Sequence, residues 1–350
     1  MRSRNLFAQS THWLYQIIRR PLQFSTGLPI SVVEWETNST FDGYQVYDLL
    51  GLPAATEGWV SLYYQEEIPD EVVAYFEPFL KDAIVIGFEI PPYFVKICTQ
   101  LGLPCISMMW DPIRFLDDIF FCFNTNHPEV FAALRPYQLS ESLIYQTADL
   151  QRARFMRKNN PVDIEGVLVL GQTHIDRSLI KGNRLVSLHD FYPELQALTT
   201  KGNLWFKKHP FDLTYNAHQS TLEETGLKLM PHNYNTYDLF CTEQIKHVAA
   251  ISSGAVLEAH YFDQSAQTFM DTYYQHYQDF SGHTDRYCVS VFSDFLHIDF
   301  WATILRPIHP SVRTLSERLP FKPNRMRHAN CSYWGYEEPA REQLVLNYTR

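Results

Sequence analysis

Glycine is scarce in this chain, 14 residues in 350, and its placement excludes more than its count. No GxGxxG and no GxxxxGK[ST] is present, so neither a dinucleotide fingerprint nor a P-loop has support. HExxH and GxSxG are missing too, which removes the usual signatures of a zinc protease and of a nucleophile-elbow hydrolase. The six cysteines, Cys98, Cys105, Cys122, Cys241, Cys288 and Cys331, form no CxxC and no zinc spacing. Several sit inside apolar runs, and they read as buried free thiols of a reducing compartment. No pair among the 14 histidines has metal-ligand spacing beside a carboxylate, so no metal is expected. Long apolar runs are absent as well. The opening MRSRNLFAQSTHWLYQIIRRP is basic, but Gln, Ser, Thr and His interrupt its apolar stretch. It reads as neither a signal peptide nor a membrane span, and a cytoplasmic protein is the expectation.

Charge excludes a further class. The formal net charge of −10 lacks the concentrated basic surface that nucleic acid binding needs. Basic residues do gather at the two ends, as Arg2, Arg4, Arg19 and Arg20 and as Arg313, Arg318, Lys322, Arg325 and Arg327. Solvated helix faces are the favoured reading; peripheral contact with anionic lipid of an inner membrane is the alternative. What the chain has in quantity is apolar and aromatic residues, 45% and 15%. That suits thick cores, and the length suits two domains. No repeat or low-complexity segment is visible.

The pattern along the chain predicts α/β architecture. Residues 5–20 predict an amphipathic helix stopped by Pro21. Pro29–Trp35 is a strand candidate, rich in β-branched residues. Pro69–Leu80 predicts a helix leading into a buried strand at Ala83–Gly87, then a helix at Pro92–Leu101 and a strand at Cys105–Met109. Residues 129–160 predict helix, ending in the polar linker RKNNPVD. A second alternating series then runs from Gly166 to about Val291, and FLHIDFWATIL predicts an aromatic helix at Phe295–Leu305. Strands alternating with helices imply parallel sheets. The expected architecture is two Rossmann-like halves facing a cleft, residues 1–160 and 161–310. The tail 311–350 is expected to pack back on the first half.

Three strand ends deliver polar groups. The strand Val167–Leu170 runs into Gly171, Gln172, Asp176 and Ser178. Leu204–Lys207 runs into Lys208, His209 and Pro210, and Val248–Ile251 runs into Ser252, Ser253, Gly254 and then Glu258. Ligands of open α/β sheets bind outside the carboxyl ends of the strands. Serines before a helix are ordinary N-caps, yet they also stand at the positive end of a helix dipole, where an anion binds. With His209-Pro210 on a neighbouring strand, a phosphate site becomes the stronger reading. Asp176 is the candidate for nucleophilic or oxocarbenium-stabilising chemistry, against the plainer role of capping a turn. Glu89, just after the strand at Ala83–Gly87, could take the proton of an incoming hydroxyl.

At these residues the sequence resembles bacterial capsule and O-antigen Kdo transferases of the retaining β-Kdo branch. Their GQxxxDxS motif is matched by Gly171, Gln172, Asp176 and Ser178. Their KxHP motif is matched by Lys207, His209 and Pro210, with Lys208 replacing a frequent Pro. Their Ser-Ser motif and following Glu are matched by Ser252, Ser253 and Glu258. The resemblance covers most of 80–310. It implies a GT-B fold and transfer of β-Kdo, configuration retained, from CMP-Kdo to a glycan acceptor of a surface polysaccharide, with or without a lipid carrier. It makes Asp176 the nucleophile of a glycosyl-enzyme intermediate and His209 a phosphate contact and proton shuttle. Gln172, Ser178, Lys207, Lys208, Pro210, Ser252, Ser253 and Gly254 would line the donor site. Glu258 would hold the ribose or cytosine end, and Glu89 the acceptor hydroxyl. No cofactor beyond the donor is implied. HP and Ser-Ser motifs also occur in sialyltransferases and polyol-phosphate polymerases, so another CMP-linked transferase is one alternative. A polysaccharide-assembly protein without activity is the other.

Overall fold

Helix α1 (Arg4–Thr26) runs through Pro21 instead of stopping there. Its buried stripe Leu14, Ile18 and Leu22 falls at i, i+4 and i+8. Packing of that stripe outweighs the backbone hydrogen bond that proline removes. The structure is a computed structural model, described here for residues 4–34, 41–158, 162–209, 222–231, 234–271, 288–315 and 325–329. The strand expected at Pro29–Trp35 does not form among its described residues, 29–34; Glu34 instead meets His12 of α1 at 2.7 Å.

Helices α2 (Gly43–Leu49), α3 (Thr56–Tyr63) and α4 (Asp70–Leu80) precede the first sheet. That sheet begins with β1 (Val85–Phe88), α5 (Pro92–Gln100), β2 (Cys105–Trp110) and β3 (Phe121–Thr125). Only β1 and β2 are parallel; β2 and β3 run antiparallel. The first half is therefore a mixed sheet, where parallel strands of a Rossmann-like half were expected. Only 10 residues separate Trp110 from Phe121, too short a link for a parallel crossover, which takes a dozen or more. The helix expected over 129–160 is two helices, α6 (Pro128–Leu134) and α7 (Glu141–Lys158). Pro136, in the turn between them, cannot continue α6.

The second sheet starts at β4 (Gly166–Leu170). A small hairpin, β5 (Ile180–Lys181) and β6 (Arg184–Leu185), follows, then α8 (Tyr192–Leu198), β7 (Leu204–Lys207), β8 (Lys228–Leu229), α9 (Thr236–Phe240), β9 (Ile245–Ala250), α10 (Gly254–Tyr261) and β10 (Ala266–Thr268). The order is β10-β9-β4-β7-β8, with every neighbouring pair parallel. The chain thus starts at the centre, builds outward on one side, and returns to build on the other. β4 is buried along its whole length. Leu168 and Leu170 enter one core, Val167 and Val169 another on the opposite face, the two-residue period of a strand covered on both sides.

The chain then comes back. β11 (Val289–Val291) pairs antiparallel with β3, and α11 (Ile298–Leu305) packs on α1 in the core of the first sheet. Residue 289 is thus already part of the first sheet. The halves also share a core. Ile113, Phe115, Leu116 and Phe120, from the link between β2 and β3, pack with Leu168, Val248 and Ala259 of the second half. The last described element, α12 (Arg325–Ala329), lies against that same link. Of the expected tail 311–350, residues 316–324 and 330–350 lie outside the described residues. Among the described residues no helix is long and apolar enough to cross a membrane, no disulfide forms among Cys98, Cys105, Cys122, Cys241 and Cys288, and no metal-binding cluster occurs.

Candidate active site

The strand order reverses between β4 and β9. Loops leaving a parallel sheet on either side of such a point splay apart and open a crevice at the carboxyl edge. Gln172 leaves β4 there and Ser252 leaves β9. Their side chains are knotted together. The Gln172 carbonyl oxygen accepts the Ser252 backbone N–H at 2.9 Å. The Gln172 amide donates to Ser252 Oγ at 3.2 Å and to Ser178 Oγ at 3.1 Å. Ser252 Oγ in turn donates to the Ser178 carbonyl at 2.6 Å. Gln172 and Ser178, joined by Ser252 from 80 residues beyond Gln172, form one unit at the switch point.

The N-terminus of α10 stands beside that unit. Ser253 is its N-cap and accepts the Ala255 N–H at 3.3 Å. Gly254 opens the helix, whose first N–H groups give the end a positive potential. On the other side of β4, Gly171 N donates to the Lys207 carbonyl at 2.8 Å. A Cβ on Gly171 would come within 2.9 Å of Phe206 Cζ and 3.1 Å of His209 N, so the close approach of the β4 and β7 ends favours glycine. His209, Gln172 and Ser252 therefore stand in a row across three adjacent strand ends. Pro210 lies outside the described residues. Lys207 turns to other work: its Nζ donates to the Tyr234 carbonyl at 2.7 Å, and burial lowers its pKa. Lys208, next along, is half-buried.

Asp176 caps a short turn, its Oδ1 accepting the Ser178 N–H at 2.9 Å. Thr173 Oγ1 lies 3.5 Å from Oδ2. The capping role weighed against chemistry is thus a real one. The residue after it, Arg177, carries the link to the first half: its Nη2 lies 3.4 Å from Glu89 Oε1 and 3.7 Å from Met109 Sδ. Glu89, in left-handed backbone at φ 53, is thereby tied to the turn that carries Asp176. Beneath the 172–188 loop is a cavity of about 140 Å³, apolar except for Gln172, His174 and Ser187.

Glu258, expected at the donor's ribose or cytosine end, lies in the interior. It is 4% exposed, and its Oε1 accepts the Arg114 N–H at 2.7 Å and the Tyr237 hydroxyl at 3.0 Å. Lying one turn inside α10, it faces the shared core and not the strand edge. Burial is the main reason its pKa rises to about 7, partly offset by the Arg114 N–H and guanidinium. The same burial, with the Glu258 charge, raises the Tyr237 hydroxyl well above its ordinary value.

Arg177, Arg114 and Tyr237 had no signal as site residues. A buried arginine breaks no pattern, and only the fold shows which charge lies inside. Ser178 and Ser252 were visible as motif members, but their bond to each other was not.

No protein-family model matches the sequence, and no curated protein does. Among solved structures, the beta Kdo 2,7 transferase KpsC of Thermosulfurimonas dismutans is similar, at 12% identity and a TM-score of 0.39 over 67% of this chain and 81% of that one. A likeness that loose assigns neither fold nor activity to this chain.

Proposed function

We propose that this chain is a glycosyltransferase using a CMP-linked sugar, with β-Kdo as the sugar and a surface glycan as acceptor. The observation that carries this reading is the Gln172–Ser178–Ser252 knot at the switch point of the second sheet. It joins two of the three motif segments that resemble the β-Kdo transferases, and His209 of the third follows the adjacent strand. A nucleotide phosphate would be held by the α10 N-terminus with Ser253, Gly254, Lys208 and His209. Those groups can neutralise one phosphate without a metal. The Asp176 carboxylate would attack the anomeric carbon as the bond to CMP breaks, with His209 assisting departure. Glu89 would then take the acceptor hydroxyl's proton as that oxygen displaces Asp176, restoring the original configuration. The Glu89–Arg177 contact supports this division of labour, because Arg177 is the chain neighbour of Asp176 and brings their turn against the end of β1.

The test is intact-protein mass after incubation with a continuous supply of CMP-Kdo, for the native chain, Asp176→Ala and Asp176→Asn, with and without acceptor glycan. The expected result is a gain of one Kdo on the native chain, absent from both variants and discharged by acceptor. No gain on any of the three would reject the double displacement. If CMP still raised the melting temperature, another CMP-linked donor or an inverting reaction would stand in its place.

A further inference from the structure

Arg327 is 2% exposed although it lies on α12, a helix of five residues near the end of the chain. Its guanidinium donates to three carbonyls of one turn: Arg114, Leu116 at 2.7 Å and Asp117 at 3.3 Å. The turn answers with Asp118, itself 3% exposed. The Asp118 carboxylate accepts the N–H groups of Met326 at 3.0 Å and Arg327 at 2.9 Å, and its Oδ1 also accepts the neighbouring Ile119 N–H. It caps the first turn of α12 from a distant segment, a carboxylate at the positive end of a helix. Each partner thus satisfies backbone groups of the other: Arg327 those of residues 114–117, Asp118 those of 326 and 327.

The clamped turn bears directly on the second half. Its first residue, Arg114, takes the Arg327 guanidinium on its carbonyl and gives its N–H to Glu258. Glu258 belongs to α10, whose N-terminus carries Ser253 and Gly254. Tyr237 steadies the same Glu258 oxygen from α9. The turn's apolar side chains, Phe115 and Leu116, are seated in the core that holds Val256 and Ala259 of α10. A continuous path of hydrogen bonds therefore runs from α12 through the 114–118 turn to the helix of the candidate phosphate site.

We infer that α12 is a latch and Arg327 a positioning residue: docked on the 114–118 turn, it holds Arg114 against Glu258 and so fixes the α10 N-terminus relative to the first half. Release of α12 frees the turn, and with it the angle at which α10 presents Ser253 and Gly254 to the crevice. Ligand binding at the crevice and docking of α12 then favour one another, by the reciprocity that any coupling of two sites obeys. The latch stands on the hydrogen bonds alone; the nucleotide half of the coupling rests on the function proposed above.

Hydrogen exchange on the full-length chain tests the latch without any ligand. Arg327→Ala is expected to speed exchange about tenfold at 111–118 and 254–261, the scale for losing hydrogen bonds to a charged group. Strands 166–170 and 245–250 should keep their protection, which separates release from unfolding. Arg327→Lys keeps the charge but cannot fork across three carbonyls, and its exchange should resemble that of Arg327→Ala. Tyr237→Phe should loosen 254–261 while leaving 325–329 docked. Faster exchange confined to 325–329 in both Arg327 variants would overturn the latch. CMP titration of the same proteins reads the coupling: about tenfold weaker binding in Arg327→Ala is expected. Unchanged CMP affinity beside faster exchange at 254–261 would overturn the coupling. Failure of the native chain to bind CMP would count against the proposed function, and exchange would still decide the latch.

Discussion

Arg177 and Glu89 meet at 3.4 Å, one on the turn after the central strand of the parallel sheet, the other at the end of the first strand of the mixed sheet. The arginine is 9% exposed and the glutamate 23%. Solvent screens the pair only from the Glu89 side, so removing the cation leaves a carboxylate inside the cleft with less compensation. Arg177→Ala should destabilise the protein by about 2 kcal/mol, below the full cost of breaking a buried pair because Glu89 is partly wet. Arg177→Met should cost less, since a thioether chain can still pack on Met109. Urea denaturation of the three proteins measures the order, and equal stabilities would reject the pair as a structural link.

Glu258 should set a slope of stability against pH. Burial pushes its carboxyl up to about 7 in the folded protein from an ordinary value of 4.5, and Arg114, Tyr237 and Asp111 are the groups facing it. Between those pH values the folded state holds a proton that the unfolded state has lost. Stability therefore falls as pH rises from about 4.5 to about 7 and levels off above, a loss of about 3 kcal/mol from this group. Glu258→Gln stays neutral and keeps an oxygen for Arg114 N–H and the Tyr237 hydroxyl. Its stability should gain on the native protein between pH 5 and pH 8. Parallel curves for the two proteins would mean that Glu258 carries no such shift.

Gln172→Glu separates the knot from the ligand. The carboxylate can still accept the Ser252 N–H, and the Ser178 hydroxyl can rotate to donate, while Ser252 Oγ keeps its bond to the Ser178 carbonyl. Folding stability should change by less than about 1 kcal/mol. A negative charge beside the α10 N-terminus opposes a phosphate, so CMP affinity should fall by more than about tenfold. Calorimetric titration checks this; unimpaired CMP binding would place the phosphate elsewhere.

Gly166 opens the central strand at φ 133, and a Cβ there would lie 2.2 Å from the Asn203 carbonyl oxygen. The obstacle is backbone of the adjoining chain, not a flexible side chain. Gly166→Ala should cost more than about 3 kcal/mol by pushing β4 from the β7 side. A thermal melt close to that of the native protein would contradict the close approach.

Much of the second half was legible because its strands are short, apolar and bounded by polar turns. Val167–Leu170, Leu204–Lys207 and Val248–Ile251 each announce a covered strand, and their polar followers announce an edge. Less of the first half could be read. Nothing in Phe121–Thr125 distinguishes an antiparallel strand from a parallel one, since both faces are buried either way. Pro21 was read by its local cost, while the stripe Leu14, Ile18 and Leu22 decided the matter through contacts with α11. Glu258 was read from a motif, and its burial depends on a turn 144 residues away. Arg327 was counted as part of a basic cluster, whereas the fold spends its charge on three carbonyls.

The return of β11 to β3 has a bearing on how the molecule is assembled during synthesis. All five strands of the parallel sheet have been made once residue 268 has emerged, but the mixed sheet still lacks its edge strand and the α11 side of its core. A chain growing from its amino end would hold α1, β1, β2 and β3 with one face uncovered while the later half closes. The amino-terminal half, although first to be made, is then the last to be finished, and α1 waits for a partner nearly 300 residues downstream. Until that partner arrives, the exposed stripe of α1 and the open edge of β3 are the surfaces a chaperone would have to shield.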